Sequence, residues 1–227
     1  MVFAFVVVIV YYGRRDRIVS RNIDNCGGIA STIYIGPELI PQRIRDVLLL
    51  HRIEQVEFFG LNDKEMLRDL RYLPHQARVS FMQTPATDGD LESLGSLTQL
   101  ERLSVNSDEV TDAGLEHIKG LNRLLCLQLA SARVTDAGLA YLTEMTRLES
   151  ISLAGTNVVG TGFGLLANLT ELRVLQLSGT QFNDEGLDHL KGFGKLEKLE
   201  LYGARTSARG RARLRERLPN CRIVPLP

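Results

Sequence analysis

The sequence predicts an α/β solenoid, a right-handed coil with short parallel strands on one side and short helices on the other. Three observations carry this. Five units of 24 residues follow one another without insertion over residues 86–205, each holds an alternating apolar pattern, and each holds a second pattern with helical spacing. The units read ATDGDLESLGSLTQLERLSVNSDE, VTDAGLEHIKGLNRLLCLQLASAR, VTDAGLAYLTEMTRLESISLAGTN, VVGTGFGLLANLTELRVLQLSGTQ and FNDEGLDHLKGFGKLEKLELYGAR. A looser unit precedes them (61–85) and a degenerate one follows (206–227).

The alternating half of each unit marks a half-buried strand: Leu103/Val105, Leu127/Leu129, Ile151/Leu153, Leu175/Leu177 and Leu199/Leu201. The same phase extends back to Val79/Phe81, Val56/Phe58 and Ile33/Ile35, and forward to Ile223, which predicts about nine short parallel strands. In the other half, Leu115, Ile118 and Leu121 recur at the spacing of a helix with one inward stripe. Thr111 or Asp112 is placed to cap that helix by accepting free backbone N–H bonds, as are Thr135/Asp136 and Asn183/Asp184 in later units. Gly120 and Gly192 are expected in a left-handed turn that ends the helix. Parallel neighbours need a crossover, and the helical half supplies it.

A single unit cannot bury its apolar side alone, so neighbours must share faces and both ends need covering. Residues 37–52 read as an amphipathic helix with Ile44, Val47, Leu48 and His51 inward, forming an N-terminal cap with the strand at Ile33/Ile35. Residues 207–218 read as an arginine-rich helix with Leu214 and Leu218 inward, followed by the last strand. The expected organisation is a hydrophobic segment at 1–12, a basic juxtamembrane stretch and cap at 13–52, and the repeat domain at 53–227 with its own cap at 206–227.

Residues 1–12 (MVFAFVVVIVYY) are wholly apolar or aromatic, and Gly13-Arg14-Arg15-Asp16-Arg17 follows. Twelve helical residues rise about 18 Å against a hydrocarbon core of roughly 30 Å. Three readings stay open: the end of a membrane helix, a short tilted anchor with Tyr11 and Tyr12 at the interface, or a buried strand or helix of the domain. The first is favoured. An anchor followed by arginines places the repeat domain on the cytoplasmic side; without an anchor the domain is cytoplasmic.

Lysine plus arginine equals aspartate plus glutamate, 27 each, so net charge points to no nucleic-acid or acidic partner. Cys26, Cys126 and Cys221 form no pair with zinc spacing and read as reduced thiols.

The run LxxLxxLxLxxT, carried by Leu121, Leu124, Leu127 and Leu129 with Thr156 and Thr180, resembles the leucine-rich-repeat superfamily. Tyr12-Gly13-Arg14-Arg15, Cys26-Gly27-Gly28, the VTDAGL units and Leu218-Pro219-Asn220-Cys221 are similar to bacterial members with one N-terminal membrane helix. The resemblance implies a horseshoe with strands on its concave side and helices on its convex side. It also implies a protein-binding habit without a ligand.

Residues alternating with the buried strand positions face outward. The candidate partner-binding residues are therefore Arg78, Ser80, Arg102, Ser104, Asn106, Gln128, Ser152, Gln176, Lys198, Glu200 and Tyr202. Arg78, Arg102 and Tyr202 lead, because Arg and Tyr dominate interface energetics. The expected partner is an unknown protein or peptide; the membrane is met through the N-terminus, and neither nucleic acid nor a small-molecule substrate is expected.

Candidate chemistry fails. His117 and His189 fill the same slot three units apart, about 14 Å, too far to share a metal. Cys126 has no neighbouring base. Gly160-Thr161-Gly162-Phe163-Gly164 mimics a phosphate loop but lacks the following lysine and falls where other units have DAGLE. The expectation is a non-enzymatic module with no metal and no cofactor. Arg209, Arg211, Arg213, Arg215 and Arg217 supply an alternative: contact with anionic lipid or RNA through the C-terminal helix. A self-assembling structural protein is the other.

Overall fold

The computed structural model describes residues 5–10, 53–59, 78–81 and 86–225, the first two segments by their backbone only. Seven strands form one open, wholly parallel sheet in chain order: β3 (Arg78–Phe81), β4 (Arg102–Asn106), β5 (Cys126–Ala130), β6 (Ser150–Ser152), β7 (Val174–Gln176), β8 (Lys198–Glu200) and β9 (Arg222–Val224). Pairing continues outward from β3 to β2 (Ile53–Phe59) and then to β1 (Phe5–Val10).

Every step from β3 to β8 advances the register by 24 residues, so Leu103, Leu127, Ile151, Leu175 and Leu199 lie side by side. None is more than 1% exposed. This is the stacked coil that the period requires.

Between strands run α1 (Asp88–Leu94), α2 (Asp112–Ile118), α3 (Asp184–His189) and α4 (Ala208–Arg217). In the third and fourth units the expected helix is a 3₁₀ turn instead, at Gly138–Leu142 and Thr161–Leu166. In the fourth unit Gly162 and Gly164 weaken the α-helix; glycine is among the poorest helix formers. Leu91, Leu115, Leu139, Phe163 and Leu187 fill one core position in successive units, all buried.

Helix capping divides between Thr and Asp in a way local sequence leaves open. Thr111 caps α2 by accepting from the Ala113 N–H at 3.2 Å. Asp112 does something else: its carboxylate reaches the next unit, accepting from the Thr135 N–H at 2.8 Å and the Thr135 hydroxyl at 2.6 Å. Asp88 holds Thr111 in the same way at 2.8 and 2.7 Å, and Asp184 holds Ser207 at 2.7 and 2.6 Å. A carboxylate is well placed at a helix start, where backbone N–H groups carry partial positive charge. The glycine of each DAGL motif makes room for it. A Cβ on Gly138 would stand 2.4 Å from Asp112 Oδ1, and Gly114 and Gly210 are equally close to Asp88 and Asp184.

One rung of this ladder is missing. The fourth unit has Gly160 where the others have Asp, so the Asn183 N–H turns to the Val159 carbonyl at 3.2 Å. Gly160 has φ +117°, and a Cβ there would lie 2.6 Å from Gly186 Cα and 2.7 Å from Phe182 Cε2. The gap is packed by rings: Phe163 meets Phe182 edge-on at 5.6 Å and Phe193 at 6.4 Å.

Strand exits also change. In the first two units Ser107 and Ser131 are buried, their hydroxyls donating to the Ala86 and Val110 carbonyls at 2.7 and 2.6 Å. Later units turn at Gly155, Gly179 and Gly203, with φ of 74°, 72° and 71°, and their strands shorten from five residues to three. These glycines, with Gly160, hold the positive φ values among the described residues. Gly120 and Gly192, expected to be left-handed, are not. Helix α2 ends right-handed instead, Lys119 having φ −53° and ψ −24°, and tightens through the Leu121 N–H to the Ile118 carbonyl at 2.9 Å, while Gly192 closes a 3₁₀ turn, Leu190–Gly192, that continues α3.

The N-terminal expectations fare differently. Phe5–Val10 is a strand beside β2, in the place the sequence assigned to Ile33/Ile35, and is not part of a helix. Among the described residues no helix is long and apolar enough to cross a membrane. The strand at Ile33/Ile35 and the cap helix at 37–52 lie outside the described residues.

Candidate partner-binding face

The register sets side chains of the open sheet face in rows. One row runs Arg78, Arg102, Cys126, Ser150, Val174, Lys198, Arg222. The next runs Ser80, Ser104, Gln128, Ser152, Gln176, Glu200, Val224. Asn106 and Ala130 begin a third, and Tyr202 follows β8. At the usual strand spacing the seven strands span about 29 Å. Alternation dictates this: Val79, Leu103, Leu127 and their successors turn into the core, so their neighbours turn out.

Ten of the eleven predicted residues are open to solvent. Arg102, Asn106, Gln128 and Tyr202 are exposed, while Arg78, Ser104, Ser152, Gln176, Lys198 and Glu200 are half-buried. Ser80 is the correction. It is 5% exposed, although Ser104 and Ser152, at the same row position between paired strands, stay half-buried.

The charges are unevenly engaged. Lys198 Nζ lies 2.5 Å from Glu200 Oε1, and Gln176 Nε2 donates to Glu200 Oε2 at 2.9 Å. The Lys198 hydrogen bond, against the opposing effect of burial and with help from Gln176 and Arg222, holds the Glu200 carboxyl below its ordinary range. These groups largely satisfy one another. At the other end Arg102 is exposed, with no ion pair among the described residues. Between the two ends the side chains are small: Cys126, Ser150, Ser152 and Ala154.

Arg222 completes the first row, a place the sequence reading gave to no binding residue. The signal was present, since Ile223 continues the inward phase and so turns its neighbour out.

The remaining candidates resolve as follows. Cys126 sits in the first row, partly covered, while His117 and His189 are exposed on α2 and α3. The phosphate-loop mimic is already occupied from within. Asp136 accepts from the N–H groups of Val159 (2.6 Å), Gly160 (2.9 Å) and Gly162 (2.6 Å), the donors that a phosphate would need. Among the described residues no group of three His, Cys, Asp or Glu is placed to hold a metal.

The five arginines of α4 separate into two sets. Arg209, Arg213 and Arg217 are exposed, whereas Arg211 and Arg215 are half-buried. Arg211 folds back, one Nη donating to the Thr206 carbonyl at 2.7 Å and its hydroxyl at 3.1 Å.

No family model and no curated protein matches the chain. Among solved structures it is similar to an internalin from Listeria monocytogenes, at 16% identity and a TM-score of 0.45. That alignment takes in 79% of this chain and 63% of the internalin chain.

Proposed function

We propose that this chain is a non-catalytic interaction module that holds a protein or peptide partner on its open strand face. The observation that carries the reading is the in-register face itself. Its reverse side is committed to the core, while its own side chains are mostly polar, small at the centre and charged at the ends. Small central residues let a partner backbone approach closely, and Arg102 and Tyr202 offer the anchor types that dominate interface energy.

The test is site-specific photo-crosslinking in cells, with the crosslinking residue placed at Gln128 or Ser152 and, as control, at the exposed Glu144 outside the strands. An adduct of one discrete mass from the strand positions, absent from the control and weakened by Arg102→Glu, supports the reading. Adducts equal from both places, from neither, or only of twice the chain mass overturn it; the last is the signature of self-assembly.

A membrane tether through residues 1–12 is the finer part of this proposal, supported by their wholly apolar composition. It competes with β1, because Phe5–Val10 cannot serve in both. Alkaline carbonate extraction of cell membranes separates the two: retention in the pellet favours the tether, release removes it.

A further inference from the structure

We propose that the outer face of α4 is an electrostatic docking surface for an anionic phospholipid leaflet. Three arginines, Arg209, Arg213 and Arg217, recur every four residues along the helix, about 6 Å apart in rise, and share one flank. All three are exposed, and so is Arg205 just before the helix. Among the described residues none of the four has an ion pair, and Glu216 is the single acid on the helix. Asp184 lies near Arg213 and Arg211 and offsets part of their charge, but its oxygens bond to Ser207 and it forms no ion pair with either arginine. The chain as a whole is neutral, so this excess is local to one end.

The helix is fixed in its roll. Gly210, Leu214 and Leu218 are buried inward and Arg211 is tied to Thr206, which leaves the arginine flank facing away from the array. Its outer side carries no large apolar side chain, only the methyl groups of Ala208 and Ala212. The large exposed hydrophobics among the described residues are Val159, Leu165 and Tyr202, and none belongs to the helix.

This composition selects the occupant. The buried core of a protein interface is depleted in charge, whereas this flank is charged along its whole length and has no small, uncharged centre like that of the strand face. Single-stranded nucleic acid is held by base stacking on aromatic side chains, and the helix has none. A phospholipid leaflet asks for neither. Guanidinium groups pair with phosphate in a bidentate fork and stay charged at every physiological pH. Adsorption is end-on, purely electrostatic and salt-sensitive, and it leaves the strand face free.

The test is flotation of the full chain with vesicles of phosphatidylcholine alone or mixed with phosphatidylserine. The readout is the increment caused by phosphatidylserine, so that any insertion of residues 1–12 into both vesicle types cancels. The increment is expected to vanish in high salt and to fall roughly a hundredfold in partition coefficient in the triple variant Arg209→Glu, Arg213→Glu, Arg217→Glu. The triple Lys variant is expected to keep most of it and serves as the folding control. No phosphatidylserine increment, an increment unchanged by the Glu triple, or its complete displacement by equimolar poly(U) RNA overturns the proposal.

Discussion

Asp112 in one unit grips Thr135 in the next by both the backbone N–H and the side-chain hydroxyl, at 2.8 and 2.6 Å. The two residues are 23 apart in the chain, and only a completed turn of the coil brings them together. Replacing Asp112 with Ala leaves two donors at a half-covered helix start without their acceptor. The expected cost is about 1–3 kcal/mol, read from the urea midpoint at unchanged slope. An unchanged midpoint would mean that water replaces the carboxylate at no cost.

The last clamp carries a pH signature. The Ser207 hydroxyl, chiefly, holds the Asp184 carboxyl below its ordinary value, aided by the Ser207 N–H, Arg213 and Arg211 and opposed by burial. A depressed folded-state pKa stabilises above the unfolded-state value, and that stability is lost as pH falls through the folded value. Ser207→Ala should therefore move the Asp184 titration upward in carbon-detected NMR. Its stability deficit should be largest near neutrality and shrink in acid. A pH-independent remainder of about 1 kcal/mol is expected, because Ser207 also caps α4 through the Gly210 N–H.

Two glycines should respond in opposite senses to the same substitution. Gly160→Ala adds a Cβ 2.6 Å from Gly186 Cα at a residue with φ +117°. Left-handed strain and overpacking together predict a loss of about 2–5 kcal/mol. Gly120→Ala meets nothing within 4 Å and needs no positive φ. Restricting the unfolded chain there should leave stability unchanged or raise it by up to about 1 kcal/mol. Paired thermal melts decide this, and equal effects at the two sites would contradict the packing described at Gly160.

The thiols of Cys126 and Cys221 should differ in reactivity. Burial pushes the Cys221 thiol up to about 11, whereas Cys126 lies partly open on the strand face. Alkylation under native conditions near pH 8 is expected to label Cys126 and spare Cys221 until denaturant is added. Peptide mapping by mass spectrometry reads both, and comparable native labelling would place Cys221 outside the core.

The strands were legible because two periods coincide, alternation within a unit and recurrence every 24 residues, so that Leu127 and Ile151 had to be neighbours. The outward rows followed from the same alternation. Ser80 escaped because alternation gives direction but not depth. The role of Asp112 was hidden for a different reason: Thr111 and Asp112 are equally plausible caps locally, and the partner of the carboxylate lies in another unit. Gly120 and Gly192 misled because helix-ending glycine usually marks a left-handed turn, while here right-handed closure suffices. The segment Phe5–Val10 could not be assigned from composition, since an unbroken apolar run satisfies a lipid core and a protein sheet alike.

From β2 onward each carboxylate clamp, each serine tie and each strand pairing joins a unit to itself or to the adjacent one; among residues 86–225 no described hydrogen bond passes over a neighbour. The molecule consequently has no intrinsic length. Duplicating residues 134–157 would satisfy every junction it creates and extend the span available to a partner by about 4.8 Å. Its reach can be retuned by copying segments, with no contact redesigned.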